Sequence, residues 1–169
     1  IADTFIIAMN LYSDKVKSVD EIKDGDVIAI PDDASNGGRA LKVLANAGLI
    51  TLKAEAGSNP TVADIDTYNV QIEIKEMGAA DIPSVLQDVT AAVINGNYAL
   101  DYGIDPTTAI YEETEYDDDS YFCLMVVRSS DADDAVYKRI VELFQSETTK
   151  QIFQDEFNGY FVPAWEVQK

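Results

Sequence analysis

Residues 24–50 read DGDVIAIPDDASNGGRALKVLANAGLI, and the fold class turns on this stretch. Val27–Ile30 is a short apolar run behind the turn Asp24-Gly-Asp26, the pattern of a strand buried on both faces, as in a parallel sheet. From Gly38 to Ala47 the apolar positions Ala40, Leu41, Leu44 and Ala47 follow helical spacing, and Gly48 suits the residue just past a helix end. The junction between strand and helix, PDDASNGGRAL (31–41), carries two glycines and an arginine that a plain turn does not need. A lone Arg at the positive end of a helix is unfavourable unless something negative sits there too.

Working outward, TFIIAMNLY (4–12), VQIEI (70–74), AAVIN (91–95) and YFCLMVVR (121–128) read as strands. Ser18-Val-Asp-Glu21 fits a capping box with Glu21 at the third helical position, Thr61-Val-Ala-Asp64 starts another short helix, and Pro83 opens a third. Two helices close the chain. In the first, Val136, Ile140, Leu143 and Phe144 share a face; the second runs near Glu147–Phe157 and carries Ile152 and Phe153. The tail GYFVPAW is expected to be extended and packed. Strands alternating with helices predict an α/β fold with mainly parallel strands. The segments 4–12 and 121–128 bracket the central region, as two strands crossing between lobes would.

Composition removes several function classes. The 169 residues suffice for one medium domain or two small lobes, and 47% of them are hydrophobic. Thirty-one acidic and 12 basic residues give a net charge of −19, which repels phosphate backbones and anionic membrane surfaces, so no nucleic-acid partner is expected. The single cysteine, Cys123, excludes an intrachain disulfide and any multi-cysteine metal site. The absence of histidine excludes Ser-His-Asp and Cys-His catalysis and histidine-ligated metals. No metal and no cofactor are expected. No run approaches the ~18 apolar residues that cross a bilayer. The opening IADTFIIAMNLYS shows no signal-peptide pattern and reads as the interior of a strand, hence as the start of a fragment.

In open α/β sheets, ligands bind beyond the carboxyl ends of the strands, in the loops entering helices. PDDASNGGRAL and INGNYAL (94–100) both occupy such positions. At the first, Ser35 or Asn36 can cap the helix, and Gly37 and Gly38 let a ligand approach the backbone. Arg39 can grip a carboxylate with two parallel hydrogen bonds. The alternative is a simple turn in which Arg39 pairs with Asp32 or Asp33.

The stretch DGDVIAIPDDASNGGRALKVLANAGLITL resembles the corresponding segment of the methionine-binding lipoproteins, the extracytoplasmic receptors of D,L-methionine ABC importers. The likeness continues in order through MNLYSDKVKSVDEI, IPSVLQDVTAAVINGNYAL, SYFCLMVVR and VELFQSETTKQIFQDEFNGYFVPAW, nearly the whole chain. It implies a two-lobed, type II periplasmic-binding-protein-like fold that closes on one amino acid. Residues 13–117 would form the complete second lobe. Residues 1–12 and 118–169 would form the crossing strands and the C-terminal part of a first lobe whose N-terminal part is absent.

The resemblance further implies that Arg39 binds the ligand carboxylate and that Asn95 holds the ammonium through its side-chain oxygen; Asn36, Gly37 and Gly38, read from the junction itself, complete the expected ligand-binding set. Tyr121 lies near the cleft on the crossing strand, although a plain core role fits that aromatic equally well. The implied function is non-catalytic: a solute receptor that delivers an amino acid, methionine foremost, to a permease and ATPase complex. The implied location is extracytoplasmic, with a lipid anchor outside this chain.

Three departures accompany the likeness. Cys123 stands where the family pattern has Asn, which removes a carboxamide contact and bears on the choice of ligand. Phe5 to Asn10 replace the family's His-Val-Glu-Pro-Met-Gly. A sizeable family segment that would precede residue 1 is missing, which predicts exposed edges and apolar surface. Either association or strand exchange with another copy covers that surface, or the first lobe is simply incomplete. Two competing functions are a ligand-sensing effector domain of a regulator and a hydrolase using Asp32 and Asp33 or the run Asp117–Asp119.

Overall fold

The computed structural model describes residues 1–114, 116 and 120–167. The expected Asp117–Asp119 carboxylate run lies outside the described residues. Among the described residues eleven strands follow in chain order: β1 (Ala2–Asp3), β2 (Phe5–Ile7), β3 (Met9–Tyr12), β4 (Val27–Pro31), β5 (Ile50–Leu52), β6 (Ile65–Tyr68), β7 (Glu73–Met77), β8 (Ala91–Asn95), β9 (Ala109–Tyr111), β10 (Leu124–Met125) and β11 (Phe161–Pro163). The α-helices are α1 (Ala34–Asn46), α2 (Gly96–Tyr102), α3 (Ala135–Phe144) and α4 (Glu147–Phe157). The chain divides into two compact units, Ile1–Ala8 with Thr114–Lys169, and Met9–Glu113.

The Met9–Glu113 unit is built on a five-stranded sheet in the order β7-β4-β8-β3-β9. β4 runs parallel to both β7 and β8, whereas β3 runs antiparallel to β8 and β9. The sheet is therefore mixed rather than mainly parallel, because β3 enters from outside the βαβ succession and returns against β8. Helix α1 packs on β3, β4 and β5. Its buried face, Ala40, Leu41, Val43 and Leu44, meets Met9, Leu11, Ile28, Ile30 and Val93 in one cluster. Each such Leu contributes roughly 1.5–3 kcal/mol when fully buried. Gly48, at φ 79°, provides the left-handed residue that ends the helix.

Several elements differ from the sequence reading. The run 4–12 breaks at Ala8 because its halves have different partners: β2 pairs with β11, and β3 with β8 and β9. For that reason β3 belongs to the Met9–Glu113 unit, and the division falls at Met9 and after Glu113 rather than at residues 13 and 117. The strand expected over 70–74 forms instead at Glu73–Met77, in parallel register with Val27–Pro31. The turn at Asp24 and Asp26 sets that start, since the Gln71 and Glu73 amides donate to it. The helix expected from Gly38 begins earlier, at Ala34. The Ser18 side chain makes no cap bond, and Glu21 accepts from the Lys17 amide instead. At Thr61, by contrast, the reciprocal capping box with Asp64 is present.

In the Ile1–Ala8 and Thr114–Lys169 unit, β1 pairs with β10 and β2 with β11. Of the strand-like run 121–128, only Leu124–Met125 is strand. Ile6, Phe122 and Ala164 form its buried apolar cluster. Rings of Phe5, Phe144, Phe153, Phe157, Phe161 and Trp165 stack edge-on or tilted, with centroids 4.4–6.5 Å apart. Helix α3 has no buried residue: Val136 is 65% exposed and Leu143 58%.

Candidate functional site

The junction after β4 forms as a capped helix start. Asp33, not Ser35 or Asn36, is the cap: its carboxylate accepts the Asn36 amide at 3.0 Å. That backbone hydrogen bond is the main cause holding the Asp33 carboxyl below its ordinary value of 3.8. The two glycines have a packing reason. A Cβ on Gly37 would lie 2.7 Å from the Pro31 carbonyl oxygen, and one on Gly38 would lie 2.8 Å from Asn59 Cα. Only glycine lets α1 sit this close to the end of β4 and to the loop at Asn59–Pro60.

Arg39, the sixth residue of α1, is 7% exposed and points into the protein. Neither Asp32 nor Asp33 is its carboxylate partner. Its Nε donates to Glu113 Oε1 at 2.7 Å and its Nη2 to Glu113 Oε2 at 2.5 Å, a two-pronged grip on a carboxylate that is itself buried. Glu113 Oε2 also accepts the Met9 amide at 2.8 Å, and the Glu113 amide donates to Asn10 Oδ1 at 2.9 Å. Asn10 Nδ2 in turn donates to the Tyr12 hydroxyl. Glu113 is thus the negative group that the buried arginine requires. The sequence reading missed both Glu113 and Asn10. Glu113 stands 74 residues from Arg39 in an acidic stretch, where nothing marks one carboxylate as buried.

A second hydrogen-bond series starts at the same helix end. Asn36 Nδ2 donates to both Asp33 carboxylate oxygens, at 3.0 and 3.2 Å, so its Oδ1 is the end that accepts. That oxygen takes Asn95 Nδ2 at 2.8 Å. Asn95 occupies the cap position of α2, yet its side chain makes no cap bond. Its Oδ1 is buried and, among the described residues, is the side-chain polar atom left without a hydrogen-bond partner. An unsatisfied buried acceptor costs about 1–3 kcal/mol, so such an atom calls for a donor. Asn95 pairs across the sheet with Met9, whose amide reaches Glu113. Asn36 and Arg39 lie one turn apart on α1. The fold therefore gathers Asn36, Arg39, Asn95, Met9 and Glu113 at one end of the sheet.

Tyr121 and Cys123 belong to the other unit. Tyr121 is half-buried against the Ile6, Phe122 and Ala164 cluster. Cys123 is exposed, and its backbone exchanges hydrogen bonds with Thr4 and Phe5. A cleft of about 620 Å3 within the Met9–Glu113 unit is lined by Tyr12, Ser13, Lys17, Pro83 and Tyr102, and by none of the residues gathered around Arg39. No cluster of His, Cys, Asp or Glu among the described residues could hold a metal ion. Among the same residues, no helix is long and apolar enough to cross a membrane.

Comparison with known proteins agrees with this architecture. The family model described as NlpA lipoprotein matches residues 1–165, and the chain belongs to that family. It is 36% identical over 168 residues to the D-methionine-binding lipoprotein MetQ of Salmonella typhi, an alignment covering 98% of this chain and 61% of the relative. A solved structure of a nutrient binding protein from Burkholderia cenocepacia bound to methionine superposes with a TM-score of 0.79 at 40% identity, over 96% of this chain and 68% of that one. A periplasmic substrate-binding protein of an ABC transporter from Coxiella burnetii gives 0.80 at 34% identity, over 96% and 68%. The chain spans less than two thirds of the length of the curated relatives it matches.

Proposed function

We propose that this chain is the ligand-binding part of a solute receptor for an ABC importer, and that its ligand is a free amino acid, methionine foremost. The observation that carries the reading is the buried, donorless Oδ1 of Asn95, an acceptor suited to a ligand ammonium. Arg39 supplies the positive group for the ligand carboxylate at the same sheet end, with Asn36 orienting Asn95. The names of the MetQ relative and of the methionine-bound structure support methionine as the ligand. The receptor does no chemistry of its own and passes its ligand to a permease and ATPase complex. Membership of a lipoprotein family supports an extracytoplasmic protein with a lipid anchor. The exposed stripe of α3 supports association with a second copy.

Calorimetric titration with L- and D-methionine tests the reading, with Asn95→Ala alongside. Wild type should bind, and the variant should lose about tenfold or more, since a charged donor loses its acceptor. An affinity that survives within a few-fold removes Asn95 from the site. Mass spectrometry of small molecules released on denaturation identifies the ligand directly, and recovery of something other than an amino acid ends the proposal.

A further inference from the structure

We infer that Glu113 is a positioning residue for ligand binding, which clamps Arg39 in the orientation that meets a carboxylate and ties it to the two points where the chain leaves its unit. The inference rests on the receptor reading above. Glu113 closes the Met9–Glu113 unit and Met9 opens it. Arg39 Nε, Arg39 Nη2 and the Met9 amide all donate to the Glu113 carboxylate. Its own amide is held by Asn10 Oδ1. One buried side chain thus joins α1 to β3 and to the segment after β9.

The physical consequence follows from the shape of a guanidinium. It is planar and carries five N–H bonds in a fixed fork, so gripping the Nε and Nη2 edge sets the direction of the others. An arginine free to swing would lose side-chain entropy on binding, whereas a clamped one has already lost it in the unliganded protein. A glutamine at 113 would turn an amide NH2 toward guanidinium N–H bonds, donor against donor, and release the plane. An aspartate would keep the charge but fall one methylene short.

The test uses the full-length protein as wild type, Glu113→Gln and Glu113→Asp. Each is titrated with methionine and with methioninamide, which keeps the ammonium and thioether but lacks the carboxylate. Glu113→Gln should weaken methionine binding about tenfold or more while methioninamide changes less than about twofold, because the lost contribution belongs to the carboxylate. Glu113→Asp should fall between wild type and Gln. Parallel losses for both ligands, or an unchanged methionine affinity, overturn the inference and leave Glu113 with a purely structural part. If wild type binds neither compound, the receptor reading has failed. The clamp is then judged on Arg39 labelling by phenylglyoxal, read by mass spectrometry. Faster labelling in Glu113→Gln, with exposed Arg128 and Arg139 unchanged, supports the clamp, and equal rates reject it.

Discussion

Helix α1 of the Met9–Glu113 unit and helix α3 of the other unit carry equally regular apolar stripes, and the fold treats them oppositely. Ala40, Leu41, Val43 and Leu44 of α1 are at most 1% exposed, because β3, β4 and β5 lie beneath them. Val136, Ile140 and Leu143 of α3 are among the most exposed apolar side chains described. Helical spacing therefore creates a face but does not bury it; burial needs a second layer wide enough to receive the face. The same contrast holds for charge. Arg39 is buried and matched by Glu113, whereas Arg139 makes an exposed pair with Glu142, and Lys138 with Asp133. Pairs of the second kind are solvated and screened and contribute little, whereas breaking the first kind costs several kcal/mol.

The largest break in this contrast should come from Arg39→Ala. Leaving the Glu113 carboxylate buried without its counter-charge should cost about 3–5 kcal/mol, read as a lower unfolding free energy in urea. Arg139→Ala should leave the same curve nearly unmoved. Next comes Gly38→Ala. Its new Cβ, 2.8 Å from Asn59 Cα, meets backbone that cannot step aside easily, and overpacking should cost about 1–3 kcal/mol by the same measurement.

A smaller effect is expected from Asp33→Ala, about 1 kcal/mol, the usual worth of a helix cap. Here the sign of the pH dependence is fixed. Because the folded carboxyl sits below 3.8, the stabilisation is complete above that value and is lost as pH falls through the depressed one. The gap between wild type and Asp33→Ala should therefore close in strongly acidic buffer, and a gap independent of pH would assign it to packing instead. Smallest in stability is the pair Val136→Ser and Leu143→Ser, each within about 0.5 kcal/mol because the side chains are already wet. Their effect should appear in sedimentation velocity, where self-association weakens. If it does not, α3 is no self-association surface.

Much of the fold was legible in local pattern. The strand at Val27–Pro31, the strand at Ala91–Asn95 and the final helix Glu147–Phe157 all carry signals confined to a few residues: a short apolar run, a turn before it, the apolar pair Ile152 and Phe153. Others were misplaced because their neighbours, not their own residues, decide them. The apolar run 121–128 is strand only at Leu124–Met125, where β1 is available to pair with it. Glycine at 37 and 38 announced a special junction, but only the Pro31 carbonyl and the Asn59 backbone reveal that the requirement is helix packing. Glu113 left no mark at all. In an acidic segment a buried carboxylate looks like its solvated neighbours.

What the amino-acid order determined alone is the set of local elements, the acidic surface, and the presence of a strand-to-helix junction bearing an arginine and an asparagine partner loop. These depend on side chains a few positions apart, so short-range rules suffice. Tertiary structure decided which carboxylate meets Arg39, that the side-chain oxygen of Asn95 goes without a donor among the described residues, and which amphipathic helix is covered. Each of those depends on groups tens of residues apart being brought within about 3 Å, the reach of a hydrogen bond, and spacing along the chain carries no record of that distance.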